Sequence, residues 1–160
     1  MNWIIFSHEC SGKSFFCNKN NMKIGKFDLV DWDVIKATPS ARFQNEILLI
    51  DLLIQISNED NKIYLTNIQP PEFILHCRDY YSNIRFGIVH LEKQNLEDNI
   101  KNRHHIDYDS NYITDSHTNL KITIGSKNIN FPIFKSYEEF ESYLYPPPSK
   151  LNLTKRIIRL

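Results

Sequence analysis

Neither sign of charge is in excess in this 160-residue chain, since Lys+Arg and Asp+Glu stand at 19 each. Without a net field there is no general pull toward nucleic acid or an anionic membrane, which leaves only a local basic patch for such contacts. Cysteine is scarce. The three thiols, Cys10, Cys17 and Cys77, show neither metal-ligand spacing nor a disulfide framework, so a reducing compartment is expected. No apolar run approaches the roughly 20 residues needed to cross a bilayer. The opening Met1–Phe6 has no basic residues ahead of it and is too short for a signal segment, so the expected location is cytoplasmic. No internal repeat is present. What remains is an ordinary composition, 41% hydrophobic and 24% charged, in a length that suits one compact domain. A single domain is expected over residues 1–148, followed by a basic tail over 149–160 with Lys150, Lys155, Arg156 and Arg159.

Periodicity places the elements. Trp3-Ile4-Ile5-Phe6 is a continuous apolar run, the pattern of a strand buried on both faces in a parallel sheet. A short helix is predicted from Gly12 to about Asn20, a turn over Asn18–Lys26, and a second strand over Phe27–Trp32. Ala41–Ile56 contains no Gly or Pro and predicts a long, deeply packed helix. Lys62–Ile68 and Ile84–Leu91 predict strands. Pro70-Pro71 opens a helix to about Tyr81, because proline suits a first helical turn. Gln94–His104 has helical spacing through Leu96 and Ile100, and Asp107–Thr118 predicts a mobile loop. Leu120–Ile124 and Ile129–Phe134 predict further strands. Tyr137–Tyr145 predicts a helix with Phe140 and Leu144 on its apolar stripe, stopped by Pro146-Pro147-Pro148. Strands alternating with helices predict an α/β fold, a three-layer parallel sheet with helices on both faces.

Ser7-His8-Glu9-Cys10-Ser11-Gly12-Lys13-Ser14 fits the phosphate-loop pattern G-x-x-x-x-G-K-[ST] everywhere except the first position, where Ser stands for Gly. A buried strand precedes it and a helix follows, the context that gives the pattern meaning. Backbone N–H groups from Ser7, Cys10, Ser11, Gly12, Lys13, Ser14 and Phe15 would cradle β- and γ-phosphate oxygens. Lys13 would neutralise phosphate charge, Ser14 would hold Mg²⁺, and Gly12 permits close approach of the backbone to the anion. The expected cofactors are ATP and Mg²⁺. The glycine usual at the first position takes a conformation that costs other residues strain, so strain is expected at Ser7.

Asp31 and Asp33 end the second predicted strand two residues apart, on one side of an extended chain. If that strand lies beside the first, both carboxylates face the crevice at the carboxyl ends of the strands, where open α/β sheets bind ligands. With the phosphate loop, this pair resembles the shikimate, gluconate and nucleotide kinases of the P-loop class, which form an α/β fold. Shikimate kinases carry a D-x-D pair at the end of the second strand, and Asp31 stands 18 residues after Lys13, near that interval. The resemblance implies that Asp31 helps position Mg²⁺ and that Asp33 binds or deprotonates the acceptor hydroxyl. Residues Leu91–Arg103 are similar to the segment that leads into the lid of these kinases, which implies Arg103, with Lys101 second, as the cation on the transferring phosphate. Arginine suits that task through its planar fork. His104 and His105 are read as lid surface, and Arg42 and Arg78 as further contacts to the acceptor.

Several features of the family are missing. Gln69-Pro70-Pro71 follows the third predicted strand in place of the Gly-Gly motif of shikimate kinases, and no Walker B aspartate ends that strand. The acceptor expected is therefore a nucleoside or nucleoside monophosphate ahead of a sugar acid, with Tyr80, Tyr81 and Phe86 available to stack a base. Two alternatives stand beside this kinase reading: a non-catalytic nucleotide-binding or structural module derived from such an enzyme, and a polynucleotide 5′-hydroxyl kinase. The neutral charge balance disfavours the latter. A GTPase switch is disfavoured by the lack of an N-K-x-D motif.

Overall fold

The computed structural model describes residues 1–8, 10–32, 56–67, 83–102, 114–115, 117–118, 120–122, 125 and 130–147. Among them are six strands and three helices of seven residues or more. In chain order these are β1 (Asn2–Ser7), α1 (Lys13–Lys19), β2 (Lys23–Ile24), β3 (Phe27–Asp31), β4 (Lys62–Asn67), β5 (Ile84–Val89), α2 (Lys93–Asn102), β6 (Ile133–Phe134) and α3 (Tyr137–Leu144). The strands form one sheet in the order β2-β3-β4-β1-β5-β6, parallel throughout except for the antiparallel β2–β3 pair. This is the expected α/β architecture.

The apolar run of β1 makes it the central strand. All six of its residues are buried, because β4 and β5 flank it and both faces are covered. On one face Trp3, Ile5, Leu29, Ile63 and Leu65 meet Phe16 and Cys17 of α1, Leu96 of α2, and Tyr137 and Phe140 of α3. Trp3 and Phe140 pack edge to face at 5.3 Å. On the other face Ile4, Phe6 and Ile88 are equally inaccessible. There Phe86 lies stacked between Phe6 and Phe131. Phe86 is thus core, not a ring that stacks a base. Fully burying one such phenyl ring contributes about 2–3 kcal/mol.

Several expectations are corrected. The second strand does not lie beside the first, because β4 pairs with both and separates them. The predicted turn over Asn18–Lys26 contains β2, which is too short to leave a periodic signal. Its hairpin is made by Gly25 at φ 53, and the chain enters it through Asn21 and Met22, both left-handed. Thr114, Asp115, His117 and Thr118 are helical, not part of a structureless loop, and Leu120–Ile122 is helical, not a strand. The alternation of Leu120 and Ile122 misled. A strand would put both on one face, whereas Leu120 is 3% and Ile122 61% exposed, as residues on opposite sides of a helix are. Among the described residues of Ile129–Phe134, Ile133 and Phe134 are strand and 130–132 are not. The helices expected over 41–55 and 70–81 and the tail over 149–160 lie outside the described residues. Ile56, at the end of the first of these, is helical and fully buried.

Candidate functional site

Every parallel strand ends at the same edge of the sheet, and the chemistry-bearing residues collect there. β1 runs directly into the segment that fits the phosphate-loop pattern. Ser7 is still strand and is fully buried, and the left-handed backbone falls instead on Cys10 (φ 59) and Gly12 (φ 93). The strain expected at Ser7 is therefore corrected: the loop turns at Cys10, one position before Ser11. At Gly12 the requirement for glycine is conformational, since an added Cβ would meet nothing but the positive φ would be costly. The Gly12 carbonyl accepts the Phe16 N–H at 2.9 Å and opens α1.

The side chains of the loop are drawn inward. Lys13 is 8% exposed and donates from Nζ to the His8 carbonyl at 3.3 Å, so its ammonium lies folded across its own loop. Cys10 is buried in the core cluster and its carbonyl accepts the Asn99 amide of α2 at 2.8 Å. Ser11 is buried as well. Phe15 points away and is 69% exposed, so anything it offers a ligand comes from its backbone.

Ser14, in the first turn of α1, donates to Asp31 Oδ2 at 2.6 Å. The two meet although β3 is not next to β1, because α1 crosses back over the sheet and packs on β3. The other carboxylate oxygen, Asp31 Oδ1, is buried with no hydrogen-bond partner. A buried carboxylate oxygen without a partner is unfavourable unless a cation supplies one. A hydroxyl and a carboxylate side by side are hard oxygen donors of the kind Mg²⁺ takes, with water and substrate phosphates filling its remaining positions. The pair fits the ion. Ser14 and Asp31 also border a cavity of about 400 Å³ lined by Cys17, Asn18, Met22, Leu29 and Val30. Burial, and next the negative charge of Asp31, push the Cys17 thiol up to about 12 against the opposing pull of Lys13. Cys17 is therefore an uncharged wall and not a nucleophile.

Sequence reasoning missed three contributors. Asn99 gave no signal, as one polar residue on a solvated helix. Tyr137 counted only as the start of α3, yet its hydroxyl lies 2.7 Å from Ser7 Oγ and 2.9 Å from Ser11 Oγ. The third is a group of histidines: the ring of His8 sits 4.8 Å from His117 and 6.3 Å from His90, with 4.1 Å between the latter two. His117 Nε2 donates to the Leu91 carbonyl at 2.6 Å. Burial and the neighbouring His117 hold His90 below its ordinary value of 6.5. Of the remaining expected site residues, Asp33 and Arg103 lie outside the described residues, as do Arg42, Arg78, Tyr80, Tyr81, His104 and His105. Lys101 is exposed on α2.

No protein-family profile and no curated protein matches the chain. Among solved structures it is similar to a gluconokinase from Sinorhizobium meliloti 1021, with a TM-score of 0.53 at 11% identity. The match covers 83% of this chain and 79% of the gluconokinase. At that identity the likeness is one of fold. No helix among the described residues is long and apolar enough to cross a membrane.

Proposed function

We propose that the chain is an ATP-dependent phosphotransferase that moves the γ-phosphoryl group to a hydroxyl of a small acceptor, a nucleoside or nucleoside monophosphate ahead of a sugar acid. One observation carries the reading. Ser14 and Asp31 are joined at 2.6 Å beside a buried Lys13, and the second Asp31 oxygen is left without a partner. A structural serine–aspartate contact has no need to strand a carboxylate oxygen, whereas a cation site does. The fold shared with a gluconokinase supports the same class of chemistry.

In this reading Lys13 leaves the His8 carbonyl and turns its ammonium to the β- and γ-phosphates. The amides of the loop from Ser7 to Phe15 orient the polyphosphate. Ser14 and Asp31 would hold Mg²⁺, which when bound neutralises charge on the phosphate oxygens. The acceptor oxygen attacks the γ-phosphorus, the bond to the β–γ bridging oxygen breaks, and ADP carries that oxygen away. Asp33 takes the acceptor proton, and Arg103 pairs with the transferring group. These last two roles rest on the sequence pattern. Phosphoryl transfer requires little beyond such positioning and charge neutralisation.

Turnover of ATP with a panel of nucleosides, nucleoside monophosphates and sugar acids tests the proposal. Lys13→Ala should weaken ATP binding about a hundredfold, the effect of losing one charged hydrogen-bond partner of about 3 kcal/mol. Asp33→Asn should abolish transfer while leaving ATP binding intact. Tight Mg²⁺-ATP binding without turnover on any acceptor would favour the non-catalytic nucleotide-binding module. Indifference to millimolar ATP would overturn both.

A further inference from the structure

The geometry points to Tyr137 as a positioning residue that clasps the phosphate loop through Ser7 and Ser11, an inference that rests on the loop being the nucleotide cradle proposed above. Three buried hydroxyls form a closed triangle: Ser7 to Tyr137 at 2.7 Å, Ser11 to Tyr137 at 2.9 Å, and Ser7 to Ser11 at 3.0 Å. Each hydroxyl has one proton to donate and lone pairs to accept, so the protons can run round the ring with each corner donating to the next. Such a ring satisfies its own members away from water, and its bonds reinforce one another.

The clasp is anchored at its outer corner. Tyr137 is the first residue of α3, and that helix start is fixed: Ser136 Oγ accepts the Glu139 N–H at 3.1 Å while Glu139 Oε2 accepts the Lys135 N–H at 3.1 Å. This reciprocal arrangement resembles a capping box. The Tyr137 ring also stacks on Phe16 of α1 at 5.1 Å. One side chain thus touches the first residue of the loop, a residue in its middle and the helix that follows it. This gives Ser7 a reason to stand where the motif has glycine. Its backbone is extended and needs no glycine, and its hydroxyl is a corner of the clasp. Ser7 and Tyr137, 130 residues apart in the chain, are therefore coupled.

Amide hydrogen exchange and ATP affinity on Tyr137→Phe, Ser7→Gly and the double variant provide the test. Phenylalanine keeps the stack on Phe16 and removes only the hydroxyl. The expected result is exchange about tenfold faster at loop amides 10–14, as two of the triangle's three bonds are lost in either single variant. Amides in β4 and β5 should keep their rates, whereas a merely structural role would speed exchange throughout the sheet. The dissociation constant for Mg²⁺-ATP should rise about tenfold in either single variant, and no further in the double, because the triangle is already open. Unchanged loop exchange, unchanged ATP affinity or additive losses would each overturn the clasp. If Tyr137→Phe does not fold, Ser11→Ala opens the triangle from the loop side and is read the same way. A wild-type chain that binds no ATP would end the proposed function, while the exchange data would still decide the clasp.

Discussion

At the amino end of β1, Asn2 is buried and completely engaged. Its amide donates to the carbonyls of Ile56 and Glu59, both at 2.8 Å, and its oxygen accepts the Lys62 N–H at 2.9 Å. At the carboxyl edge of the sheet the hydroxyls of Ser7 and Ser11 are also bonded, but other polar atoms there are joined less completely. Asp31 Oδ1 and His90 Nε2 lie buried without hydrogen-bond partners. The contrast separates two uses of burial. Where a polar group meets all its partners within the fold it specifies structure, and where it is left short its burial is explained by something other than the fold's own hydrogen bonds.

The sharpest way to break this comparison is to attack the satisfied end. Asn2→Ala removes three buried hydrogen bonds and should lower unfolding stability by about 3 kcal/mol. Chemical denaturation would measure that loss, and ATP affinity of the folded remainder should not move. At the unsatisfied end Asp31→Asn should do the reverse. The amide oxygen still accepts from Ser14 and the stranded charge is gone, so stability should hold or rise by up to about 1 kcal/mol. Mg²⁺-dependent ATP affinity should fall at least about tenfold, while ATP binding in the presence of chelator stays the same. A marked stability loss in Asp31→Asn would mean that the carboxylate is structural.

The smallest effect concerns pH. His90, faced by His8, His117 and Lys121, is held below 6.5, so its neutral form is favoured in the folded state. The stability tied to that neutral ring is complete above 6.5 and is lost as pH falls through the lower folded value. At the amino end, Asp28 is lowered by its bond to Lys62, so stability tied to it is present above its ordinary value of 3.8 and lost only below it. Melting temperature between pH 7 and 5 should therefore drop more in wild type than in His90→Gln, and equally in wild type and Asp28→Asn.

Much of the sheet was legible because Trp3–Phe6 is a continuous apolar run, the pattern of a strand buried on both faces, and β4 and β5 are rich in apolar residues. The loop after β1 was legible because its residue types and spacing follow a known strand–loop–helix pattern. What escaped was short or distant. β2 has two residues and no periodicity, and Leu120–Ile122 alternates like a strand while packing as a helix. The position of β3 one strand away from β1 depends on where β4 inserts, and no local pattern encodes that. Ser14 and Asp31 were named as metal-binding candidates from a motif and a D-x-D pair. Their direct contact required α1 to lie across β3.

Local structure, then, is written in the order of residues: a buried strand, a glycine where the backbone must turn left-handed, and a lysine and a serine that open the helix after it. Short-range sterics and hydrogen bonding determine these, so neighbours in the chain suffice. Tertiary structure alone decided that Ser7 would be tied to Tyr137, that Asn99 would hold the Cys10 carbonyl, and that three histidines would meet beneath the loop. Those contacts join segments far apart in the chain, and only packing the helices onto the sheet brings their polar atoms within a hydrogen bond of one another.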